Sequence, residues 1–134
     1  MRYAIFFLLL ICSCGRNEYL ASHNEFCGPY LVLMHNKQRC LKGEDQFEID
    51  ESLMRQAQKH AEWMAAHSSL THSKLAPVEF RTMGENIAQG QPTEDVVIID
   101  WMKSDGHRRN ILNKDFKKIG VGYSNSYWCV IFGG

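Results

Sequence analysis

The sequence predicts an α/β domain, a small antiparallel sheet with helices over both faces. Three observations lead there. Two stretches in the first half repeat apolar residues at helical spacing, and a third, Val96 to Met102, is helical and largely apolar. The C-terminal run Tyr127 to Phe132 is apolar on both of its alternating faces. A strand of that kind belongs at the centre of a sheet covered on two sides.

A chain of 134 residues is one domain. Its 15 basic and 15 acidic residues balance, and no basic stripe marks a nucleic-acid partner.

The chain opens with Met1 and Arg2, then the apolar run Ala4 to Ile11. That run is too short to span a membrane and has the length of a signal-peptide core. It ends in Ile11-Cys12-Ser13-Cys14-Gly15, which is similar to a bacterial lipoprotein signal with Cys14 as the acylated residue. The plainer alternative is a secretory leader cut nearby. The expected division is a leader over 1–14, a polar tether over 15–27 and the folded domain over 28–134.

The first helix starts near Pro29, a residue suited to a first turn. Leu31, Met34, Gln38 and Leu41 recur on one face, widened by Tyr30 and Leu33, and Lys42-Gly43 ends the helix. His35 and Arg39 share a face one turn apart, and their plain reading is surface hydrogen bonding. In the second helix Asp50 is the N-cap, and Leu53, Ala57, Ala61 and Met64 form the buried ladder. His60 and His67 lie on its flank as solvated or capping side chains.

Ser68 to Met83 reads as a loop containing His72. Glu85 follows His72 by 13 residues and His107 lies 22 beyond that. Two imidazoles and a carboxylate suit zinc or a similar divalent ion, but this spacing has none of the tightness of a zincin motif. Thr93 caps the third helix, with Glu94 and Asp95 in its first turn. Its apolar residues cover most of its circumference, so it is expected to be buried. His107 to Leu112 forms a further short helix or turn. Arg108 and Arg109 either clamp a carboxylate or stay solvated beside Asp105 and Asp115. Val121 and Tyr123 lead through Ser124-Asn125-Ser126 into the last strand as a hairpin.

These pieces together resemble the CAP superfamily, the cysteine-rich secretory, antigen 5 and pathogenesis-related domain, in its compact bacterial form. The segments that carry the resemblance run in order: Leu33 to Arg39, Ala57 to Met64, His72-Ser73, Gly84-Glu85-Asn86-Ile87-Ala88, Trp101 to Leu112, Ile119 to Tyr123, and Tyr127 to Gly133. The resemblance implies an α-β-α sandwich with a groove on one side. It implies that His72, Glu85 and His107 line that groove, with His72 and His107 holding zinc or another divalent metal as some members do. The family's second acid, three residues after the helix tryptophan, is here Ser104. A hydroxyl supplies no fixed negative charge.

Among the remaining cysteines, Cys27 and Cys40 stand 13 residues apart, about 20 Å along a helix axis. A Cys40–Cys129 disulfide is therefore expected in an exported chain, with Cys27 free; three free thiols is the alternative. The expected function is an exported or lipid-anchored domain. It would bind a lipid, another small hydrophobic ligand or a cell-envelope component. The second reading is a metal-dependent hydrolase, with a metal on His72 and His107 polarising water and Glu85 as the catalytic base.

Overall fold

A computed structural model describes residues 26–75 and 80–134. The leader, its Cys14 and nearly all of the tether fall outside the described residues. Helix α1 spans Gly28–Leu41, strand β1 Glu48–Ile49, helix α2 Glu51–His67 and strand β2 Met83–Gln89. Helices α3, Glu94–Lys103, and α4, Asp105–Leu112, follow, and strands β3, Lys118–Ser124, and β4, Tyr127–Gly133, close the chain.

The sheet order is β1-β3-β4-β2, with β1 parallel to β3 and the other pairs antiparallel. One face packs on α1, α3 and α4 through Val121, Trp128, Val130 and Phe132. The other packs on α2, where Leu53, Ala57, Ala61 and Met64 meet Ile87, Tyr127, Cys129 and Ile131. This is an α-β-α sandwich around a small, mostly antiparallel sheet, and all seven residues of β4 are buried between its layers.

Local chemistry sets the helix ends. Asp50 Oδ1 accepts from the Leu53 N–H at 2.9 Å, and Thr93 Oγ1 accepts from the Val96 N–H at 3.3 Å. α2 ends at Ser68 in the left-handed region, with its N–H returned to the last carbonyls of the helix. The chain breaks between α3 and α4 at Ser104, where the backbone turns extended (φ −89, ψ 123).

α2 lies close to β3 because Gly120 and Gly122 have no side chains. A Cβ on Gly120 would sit 2.1 Å from the Leu53 carbonyl carbon, and one on Gly122 would sit 2.4 Å from the Gln58 nitrogen.

Several expectations are corrected. The buried face of α1 is Leu31, Val32, His35 and Arg39, whereas Leu33 and Leu41 are exposed. Arg39 is inside because its guanidinium has enough acceptors: it donates to the carbonyls of Asp45, Ile111, Asn113 and Phe116 and lies 4.1 Å over the Phe47 ring. α3 buries Val97, Ile98 and Trp101 but leaves Val96 and Ile99 exposed, so it is a surface helix with one apolar face.

The Cys40–Cys129 disulfide does not form: Cys27, Cys40 and Cys129 are free thiols. The reason is strand parity. Cys129 points to the α2 face of the sheet, while Cys40 lies near the end of α1 in the opposite layer, exposed and bonded by Gln46. No helix among the described residues is long and apolar enough to cross a membrane, so the expected membrane association has no spanning segment there.

Candidate functional site

β2 is the element that the sequence concealed, because a strand carrying Gly84, Glu85 and Asn86 does not look like one. Its alternation is nonetheless real. Glu85 and Ile87 face α2 with their ladder partners Ile131 and Cys129, while Asn86 and Ala88 face the other layer. Gly84 is small because a Cβ there would meet the Phe116 ring at 2.8 Å.

Glu85 is buried, and its carboxylate is fully engaged by donors. Oε1 accepts from His72 Nδ1 at 2.7 Å and from the Ser73 N–H at 2.9 Å. Oε2 accepts from Ser73 Oγ at 2.5 Å, and the Cys129 thiol lies 3.8 Å away. Burial, and then the Glu85 charge, push that thiol well above its ordinary range, so Cys129 stays protonated and unreactive.

His107 sits on α4, held from beneath. Asn86 Nδ2 donates to the His107 carbonyl at 3.1 Å, and Asn110 Nδ2 donates both to Asn86 Oδ1 at 2.9 Å and to the Glu85 carbonyl at 3.1 Å. Trp101 Nε1 donates to the Ile87 carbonyl at 3.3 Å. The Glu85 and Ile87 carbonyls lie on the edge of β2 that no strand covers among the described residues, so α3 and α4 satisfy them with side chains. Burial, and then the nearby His72, lower the affinity of His107 for a proton and favour its neutral form. The sequence marks Asn86 and Asn110 as polar residues but not the bonds they make. The one signal is that both follow the motif residues closely, at Glu85-Asn86 and His107 to Asn110.

Outside this network lies an open cleft of about 640 Å³ between α2 and the segment from Thr71 to Lys74. Lys59, His60, Trp63, His72, Lys74 and Ile131 are among its lining residues. His60 closes one end by meeting the Thr71 carbonyl through Nε2 at 2.7 Å. Trp63, 44% exposed, stacks against His60 and His67 at centroid distances of 5.9 and 4.4 Å. His72 is the link between cleft and network, its Nδ1 on Glu85 and the rest of the ring outward.

The metal expectation is corrected. Among the described residues no three His, Cys, Asp or Glu side chains are grouped so as to hold an ion. Glu85 spends both oxygens on His72 and Ser73, and turning it toward a metal would break those bonds. Ser104, which stands where the family has an acid, forms the break between two helices, and its carbonyl accepts from the Arg108 N–H. His72 and His107 therefore do not form a zinc or other divalent-metal site, and the metal-dependent hydrolase loses its Lewis acid. Glu85, expected as a base, is 3% exposed and orients His72. Arg108 pairs with Asp105 and donates to the Met102 carbonyl, whereas Arg109 is exposed.

Comparison with known proteins agrees with the architecture. A family model described as the cysteine-rich secretory protein family matches residues 32–132. The uncharacterized protein YkwD of Bacillus subtilis is 39% identical over 111 residues, which cover 73% of this chain and 43% of that protein. Among solved structures, an extracellular protein of Bacillus anthracis containing an SCP domain superposes with a TM-score of 0.74 at 23% identity, over 79% of this chain and 39% of that one. An outer surface protein of Borrelia burgdorferi gives 0.70 at 22% identity, over 78% and 90%. The chain thus spans less than half the length of YkwD and of the Bacillus anthracis protein.

Proposed function

Because the chain belongs to the cysteine-rich secretory protein family, we propose that it is an exported binding domain that holds a small ligand of the cell envelope in the cleft beside His72. The observation that carries this reading is the cleft of about 640 Å³ itself, in the size range of small-molecule sites. It offers apolar surface at Trp63 and polar groups around its rim. The saturated Glu85 also supports binding over hydrolysis, since a base must have a lone pair free to take a proton. The leader over 1–14, the tether over 15–27 and the domain over 28–134 complete the proposal, with Cys14 acylated after export. The names of two relatives, one extracellular and one an outer surface protein, support the location.

Two measurements test it. Lipid and metabolite analysis of natively purified protein is expected to find a ligand that the Trp63→Ala variant lacks. Identical extracts from the two proteins would refute the cleft reading. Mass analysis of the mature N-terminus is expected to find an acylated Cys14, and an unmodified terminus elsewhere would refute the anchor.

A further inference from the structure

We propose that the ligand of this cleft carries an oxyanion, a carboxylate or a phosphate ester, held by Lys59 and Lys74. This rests on the cleft reading above and adds the chemical class of the ligand. The chain as a whole has a formal net charge of zero, yet among the described residues two lysines and no carboxylate line the cleft. Glu85, beneath the cleft at His72, is 3% exposed and already accepts from His72 and Ser73.

The four ion pairs among the described residues use His72, Arg108, Lys117 and Lys118 as cations, so neither cleft lysine is neutralised by one. Both lysines are exposed at the rim. A concave wall with charge of one sign raises the local concentration of the opposite ion. Ammonium groups are point charges on flexible stems, so they take a carboxylate or a phosphate without the planar match that arginine demands. The exposed Trp63 ring then receives the uncharged body of the same molecule. The arrangement suits a compact anion with one charged end.

The test uses the full chain and three probes: an acetylated alanine tripeptide with a free C-terminal carboxylate, its C-terminal amide, and glycerol 3-phosphate. Binding is read from the NMR shifts of the Trp63 indole N–H and the His72 ring. The carboxylate or the phosphate is expected to saturate these shifts, the tighter of the two identifying the source. The amide is expected to bind about tenfold more weakly. A Lys59→Gln, Lys74→Gln double variant, altered only at exposed positions, is expected to erase the difference between acid and amide. If acid and amide bind equally, the anion proposal falls while binding in the cleft stands. If no probe moves either signal, both fall.

Discussion

His72 Nδ1 stands 2.7 Å from Glu85 Oε1, and the two side chains live in different solvents: the imidazole is 64% exposed and the carboxylate 3%. One bond thus carries the orientation of a buried strand residue out to a surface loop. Glu85→Gln keeps the shape but puts an amide N–H₂ among donors. It is expected to cost about 1–3 kcal/mol in urea unfolding and to release the His72 ring, seen as loss of its bonded Nδ1–H signal. An unchanged midpoint with that signal intact would show that the carboxylate is not what holds the loop.

His35 makes stability depend on pH. It is fully buried, its Nδ1 meets the Leu31 carbonyl at 2.8 Å, and its Nε2 has no partner. Arg39 is buried one turn along the same helix, and Trp101 and Phe132 pack on the ring. Burial lowers the His35 pKa from 6.5 to about 4. Between those values the unfolded chain holds the extra proton, so folding stability rises with pH. The contribution is complete above 6.5 and is lost as pH falls toward 4, by about 3 kcal/mol. Denaturation midpoints across this window are expected to fall less steeply for His35→Leu, and parallel curves would refute the assignment.

The glycines of β3 set how closely α2 approaches. Gly122→Ala drives a methyl into α2 backbone and is expected to cost about 3 kcal/mol or prevent folding, since backbone cannot swing aside. Gly106→Ala is the control: nothing lies within 4 Å of its Cβ, and alanine suits a helix better by about 0.5–1 kcal/mol. Equal thermal midpoints for the two variants would contradict the close packing.

Thiol chemistry checks the layer assignment. In the native protein Cys40 is expected to label quickly and Cys129 only on unfolding. In denaturant without reductant, Cys27, Cys40 and Cys129 are all expected to label. A peptide joining Cys40 to Cys129 would overturn their placement on opposite sides of the sheet.

What the sequence determined by itself was whatever depends on neighbours within a few residues. Asp50 and Thr93 are caps by their side-chain chemistry, the Leu53 to Met64 ladder is a face by its period, and Tyr127 to Phe132 is a central strand by its two apolar sets. The ordered motifs around Glu85 and His107 also identified the family. Other features were decided by partners distant along the chain. Arg39 is interior only because carbonyls at Ile111 and Asn113, more than 70 residues away, converge on it. β2 is a strand because β4 pairs with it and because Asn110 and Trp101 cover its open edge. Cys129 is remote from Cys40 because strand parity turns it toward α2. A polar residue's burial cost depends on whether its acceptors arrive, and that is a property of the assembled layers.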